Sequence, residues 1–159
     1  MTTLTPAVRA LGRDEIDALL GRNHVGRLAY ALGNRVDVEP VSYAYEAPWI
    51  YAQTRPGMDP EMIRRLRFVT FEVDEVESGE EWREVSVRGA FYRLAAGETL
   101  RETEALERAH SLLDPAARVP APAGAHEFHP IVFRLPAYHA VGCACELVPP
   151  LTPPLTPAG

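Results

Sequence analysis

VGRLAYA (25–31), VDVEPVSYAY (36–45), WIYAQT (49–54), FVTFEVDEV (68–76) and WREVSVRGAFYRL (82–94) follow one another along the chain, and this succession decides the fold. Each run is rich in β-branched and aromatic residues and is bounded by turn formers, the signature of strands. Leu32-Gly33-Asn34-Arg35 supplies residues that tolerate positive φ, so the first two runs form a hairpin. Glu46-Ala47-Pro48 makes the next turn, and successive hairpins imply an antiparallel sheet. Pro40 predicts an edge position or a bulge, because proline donates nothing to a ladder. In the last run Val85, Val87 and Phe91 share a face, and Gly89 between them predicts a bulge or a barrel corner.

Working outward, Arg13 to Arg22 reads as a helix with Asp14 near its start and Ile16, Leu19 and Leu20 on one face. Asp59-Pro60 is a helix start, with Asp59 as cap and Pro60 in the first turn, leading into Glu61 to Leu66. Glu98 to Leu113 carries Leu100, Leu106, Ala109 and Leu113 on one stripe and reads as an amphipathic helix that Asp114-Pro115 stops. Ala116 to Ala125 is an alanine, proline and glycine loop, and Phe128 to Leu135 and Ala137 to Val148 are two further strands hinged at Pro136. Pro149 to Gly159 holds five prolines in eleven residues and reads as an extended tail outside a domain spanning 1–148. Six or seven strands with three helices give a mainly β fold, an antiparallel barrel with helices packed outside it.

Composition narrows the chemistry. With 159 residues the chain is one domain's worth, and all sixteen basic residues are arginine. A lysine Schiff base and a phosphate-binding P-loop lysine are therefore excluded. A net charge of −6 without clustered arginines offers no footprint for nucleic acid. No apolar run approaches the roughly 18 residues of a membrane span, and the expected location is the cytoplasm. Cys143 and Cys145 lie two apart in a strand-like run; they suit small buried or half-buried thiols better than a disulfide or a zinc site. The five histidines, His24, His110, His126, His129 and His139, lack metal-ligand spacing, and no Ser, His and Asp set points to a hydrolase.

At Val25-Gly26-Arg27-Leu28-Ala29, Glu39-Pro40-Val41-Ser42-Tyr43, Trp49-Ile50-Tyr51-Ala52-Gln53-Thr54 and Trp82 to Gly89, the chain resembles the pyridoxamine 5′-phosphate oxidase-like superfamily. Its nearest branch resembles the small flavoproteins that include the nitroimidazole-resistance reductases, and the likeness runs over roughly residues 11 to 145. The resemblance implies a split β-barrel, a homodimer, FMN in grooves at the dimer interface, and a flavin-dependent oxidoreductase. It also implies the site: Thr54 and Arg55 on the phosphate, Gln53 facing the ligand, and Pro40, Val41, Ser42 and Glu84 about the ring. Met58 and Asp59 stand where the family carries a basic pair on the phosphate, and Glu84 replaces a glutamine whose amide touches the flavin edge. Arg55, Arg64 or Arg65 could compensate, with Arg55 the best placed. Trp82 reads as a packing or interface anchor, or else as a stacking platform. A split barrel that has lost FMN and serves as a non-catalytic dimer, or binds another small ligand, is the alternative.

Overall fold

In a computed structural model, residues 3–97, 99–113 and 130–150 are described. The elements run β1 (Thr5–Ala10), α1 (Arg13–Arg22), β2 (Val25–Leu32), β3 (Arg35–Glu46), β4 (Trp49–Gln53), α2 (Pro60–Arg65), β5 (Phe68–Val76), β6 (Trp82–Ala90), β7 (Tyr92–Leu94), α3 (Leu100–Leu112), β8 (Val132–Pro136) and β9 (Ala140–Val148). All strand pairs are antiparallel, in the order β1-β9-β6-β5-β2-β3-β4-β8-β7. Because β7 continues β6 after Phe91 alone, the β7 end of this order returns to β6, third from the other end, and the sheet closes into a split barrel. The Phe91 N–H donates to the Arg67 carbonyl at 2.8 Å, one register step beyond the Phe68–Ala90 pair, so pairing with β5 runs on to Phe91 before the chain passes to β8. Gly89 sits at this corner, where an added Cβ would lie 3.2 Å from the Pro136 carbonyl oxygen.

Among the described residues, nine strands replace the six or seven expected. The single run predicted over 82–94 divides at Phe91, and β1 was not anticipated. That strand is exposed along almost its whole length, so no apolar alternation marks it. Its six register partners on β9 hold it through the backbone, and Arg9 bridges Glu15 at 2.7 Å and Glu146 at 3.0 Å. Of the stripe predicted for α3, Ala109 and Leu113 are buried and Leu106 packs against the same cluster, whereas Leu100 beside the Thr99 cap is 75% exposed and Ala105 is buried instead. Small side chains let this helix lie close against Tyr51 and Val132, making a satellite cluster on the barrel's outer wall. The loop at 116–125 and the tail beyond 150 lie outside the described residues.

Inside the barrel, Leu28, Val41, Ile50, Phe71, Val85, Val87, Phe133 and Leu135 are fully buried, and α1 adds Ile16, Leu19 and Leu20 across one end. Opposite this core, the outer faces of β2, β3, β5 and β6 carry no helix among the described residues. Val36, Val38 and Phe68 stand on that face at 72%, 58% and 76% exposure.

Candidate functional site

Register explains how β3 presents its middle residues. The Tyr43 N–H donates to the His24 carbonyl at 2.9 Å, so odd-numbered residues of β3 direct their backbone groups toward β2 and even-numbered ones toward the opposite edge. On that edge β4 begins only at Ser42, opposite Gln53. Pro40 therefore lies where, among the described residues, no strand requires its missing N–H, a locally unpaired edge of the kind that was one of its two predicted placements. Val41 pairs with Gly26 and is fully buried, so only its backbone could meet a ligand.

Ser42, Gln53 and Thr54 come together where β3 and β4 adjoin, and among the described residues they are the buried polar or charged side chains, at 6%, 8% and 6% exposure. Thr54 is tied to the start of β8: its N–H donates to the Ile131 carbonyl at 3.0 Å, and its Oγ1 accepts from the Ile131 N–H at 2.8 Å. Accepting that bond leaves the hydroxyl hydrogen able to donate. The Gln53 amide makes no hydrogen bond to another described residue. A buried amide of this kind is the sort of group that ligands satisfy.

Arg55 follows at the mouth of the barrel, half-buried, with Nη2 paired to the Glu39 carboxylate. Its Nε is buried and has no acceptor among the described residues. Glu39 shares the core-facing register of β3 with Asp37, opposite Leu28 and Tyr30. Burial, then Glu39 and Asp37, push the Tyr30 phenol above its ordinary range, Asp59 contributing less. These carboxylates had a sequence signal: in the alternation of 36–45 they fall on the same face as Val41 and Tyr43, where apolar residues belong.

The two residues in the family's basic-pair positions have structural duties. Met58 is 5% exposed within the main core, and its Sδ lies 3.5 Å from the Arg55 N–H. The Asp59 carboxylate caps α2, accepting from the N–H groups of Glu61 at 3.0 Å and Met62 at 3.4 Å. A phosphate here would meet a carboxylate already holding the helix N–H groups it would use. Arg64 pairs with Glu61, and Arg64 and Arg65 are both exposed. The residues present do not fit a phosphate monoester.

Glu84 is elsewhere. It is exposed on the outer face of β6, opposite Asp74 on β5, and three strand steps or about 14 Å of sheet separate β6 from β3. One protomer therefore does not bring Glu84 to Gln53, Thr54 and Arg55. Glu84 accepts from the Cys143 thiol at 3.2 Å. Burial and this carboxylate hold the Cys143 thiol above its ordinary range, which disfavours a thiolate nucleophile. Both cysteines are free, Cys145 buried and Cys143 half-buried. Trp82 lines a groove with Arg27, Glu72, Asp74 and Glu84. A separate open groove of about 690 Å³ includes Ala29, Val36, Phe68, Arg88 and Tyr138, none of them a predicted site residue. No helix among the described residues is long and apolar enough to cross a membrane.

Comparison with known proteins places this architecture. A FAD-binding protein from Mesorhizobium loti is 28% identical, with 89% of this chain and 99% of that chain covered and a TM-score of 0.69. A candidate 5-nitroimidazole antibiotic resistance protein from Bacteroides thetaiotaomicron shares the fold at 14% identity, covering 92% of this chain and 93% of that chain with a TM-score of 0.62. The uncharacterized protein RA0666 from Rhizobium meliloti is 25% identical over 131 residues, 76% of this chain and 87% of its own length. The family model described as pyridoxamine 5′-phosphate oxidase matches residues 12–130. On that match and this split barrel, the chain belongs to the pyridoxamine 5′-phosphate oxidase family.

Proposed function

We propose that this chain is a flavin-binding split-barrel protein that works as a homodimeric oxidoreductase. The reading rests on one observation: the buried polar side chains Ser42, Gln53 and Thr54 share one corner of the barrel, beside Arg55. That corner offers the Gln53 amide, the Thr54 hydroxyl and a guanidinium N–H next to the open edge of β3 at Pro40, the mix of apolar wall and few polar groups that a flavin ring and its polyol side chain require. The similarity to a FAD-binding protein at 28% identity supports it. Redox chemistry would belong to the flavin, and the chain's own residues would hold and orient it.

A second copy of the chain covers the outer face of β2, β3, β5 and β6, where Val36, Val38 and Phe68 are exposed. Glu84 lies on that face and so takes part in the site only through the dimer. Light scattering on the purified protein tests the assembly, and a monomer at micromolar concentration would refute it. Titration with flavins, followed by the quenching of their fluorescence, tests the ligand: saturable one-per-protomer binding is expected, and no quenching by any flavin would refute the reading.

A second reading is favoured by Met58 and Asp59. A barrel whose phosphate positions are a core methionine and a capping aspartate is one that has given up FMN and serves as a non-catalytic dimer or binds another small ligand. Colourless protein that takes up no added flavin would support it.

A further inference from the structure

The charges at the barrel mouth carry a statement about which flavin enters. Three carboxylates, Asp37, Glu39 and Asp59, lie around Tyr30, and two of them are paired with arginines. Arg35 holds Asp37 at 2.6 Å, and Arg55 holds Glu39. The Asp59 carboxylate is fixed in place by the Glu61 and Met62 N–H groups at 3.0 and 3.4 Å, so it cannot swing aside without uncapping α2. Met58 is locked in the core. A phosphate dianion would have to separate Glu39 from Arg55 and then sit beside Asp59 and the buried Met58, which stand in place of the family's basic pair.

The uncharged donors and acceptors, by contrast, remain available. The buried Arg55 Nε has no acceptor among the described residues, the Gln53 amide makes no bond to one, and the Thr54 hydroxyl keeps its hydrogen. These groups suit the carbonyl and hydroxyl oxygens of a neutral ligand. Resting on the flavin-binding reading above, we propose that this site has exchanged phosphate recognition for polyol recognition: it takes an unphosphorylated flavin, riboflavin, and discriminates against FMN. Glu39 and Asp59 are the residues that set the preference, Glu39 by occupying Arg55 and Asp59 by placing a fixed negative charge where the phosphate would lie.

The test is parallel titration of the purified protein with riboflavin, FMN and FAD, read by flavin fluorescence, on the wild type and on Glu39→Gln, Asp59→Asn and the double variant. Asparagine retains the cap and glutamine retains the shape, so the fold is conserved while the charge is removed. Riboflavin is expected to bind at least tenfold more tightly than FMN. The double variant is expected to raise FMN affinity at least tenfold and to leave riboflavin within about threefold. Wild-type protein that binds FMN as tightly as riboflavin or more tightly overturns the inference while the flavin-binding reading stands. So does a double variant with unchanged FMN affinity. Protein that quenches none of the three flavins overturns that reading and the inference with it.

Discussion

Replacing Gly26 by alanine should destabilise the protein by about 3 kcal/mol, at the upper end of the usual cost of overpacking. Gly26 pairs with Val41, so it sets the strand that carries Pro40 to Ser42. An added Cβ would lie 2.2 Å from Phe71 Cζ, 2.6 Å from Cε2 and 3.0 Å from the Glu72 carbonyl oxygen. Ordinary contact begins near 3.4 Å, so the ring must retreat by about 1.2 Å. It has nowhere to go: Phe71 is fully buried and stands edge-on to Tyr43 at 5.0 Å between centroids. Tyr43 is itself anchored by its hydroxyl, which donates to the Leu20 carbonyl at 2.8 Å. Urea unfolding of wild type and Gly26→Ala measures the loss directly. A double-mutant cycle with Phe71→Leu isolates its cause, because leucine lacks the distal ring atoms that the new methyl strikes. The two changes should couple by at least about 1 kcal/mol, the double variant being more stable than the sum of the single losses predicts. A Gly26→Ala cost below about 0.5 kcal/mol, or strict additivity with Phe71→Leu, would refute the packing argument.

Gly21 gives the opposite sign: it lies inside α1 with no atom within 4 Å of an added Cβ, so Gly21→Ala should stabilise by about 0.5 kcal/mol in the same urea assay. At the start of α2, Asp59→Ala should cost about 1 kcal/mol, while Asp59→Asn should melt within a degree or two of wild type, which separates capping from charge. Glu75 accepts two hydrogen bonds from Arg22 at 2.7 Å and one from Asn23 at 2.7 Å. The Arg22 bonds above all hold its carboxyl down at about 2, below its ordinary 4.5. A depressed carboxyl stabilises the fold above its unfolded value, and that contribution fades as the pH falls from 4.5 toward 2. With Arg22 49% exposed, solvent screening limits the contribution to about 1 kcal/mol. Glu75→Gln should therefore lower stability at pH 7 by that amount and flatten the loss in acid; urea midpoints measured at both pH values check it, and parallel acid curves for the two proteins would contradict it.

The architecture was legible wherever a strand buries one face. The runs at 68–76 and 13–22 match β5 and α1 at both ends, and the hairpins flanking β3 follow from Gly33-Asn34 and Ala47-Pro48. Strands held by their backbones left no such trace, as β1 illustrates, and neither did the corner at Phe91, where pairing passes from β5 to β8 within one continuous run. In α3 the predicted stripe matches the packed face at Leu106, Ala109 and Leu113 but not at Leu100; Ala105, which contributes little to apolar periodicity, packs there instead.

The candidate site divides along the same line. Residue order alone determined an antiparallel barrel, placed Pro40 at an edge or a bulge, made Asp59 a helix cap, excluded lysine chemistry and drew Ser42, Gln53, Thr54 and Arg55 into one hypothesis, because turn chemistry, capping and side-chain alternation are local. Only the tertiary structure decided that Arg55 is engaged by Glu39, sixteen residues earlier, that Met58 belongs to the core, and that Glu84 stands three strands away from β3. Those are matters of which strand lies beside which, and a charge's partner across a barrel is set by the closure of the sheet, a property no short stretch of chain contains.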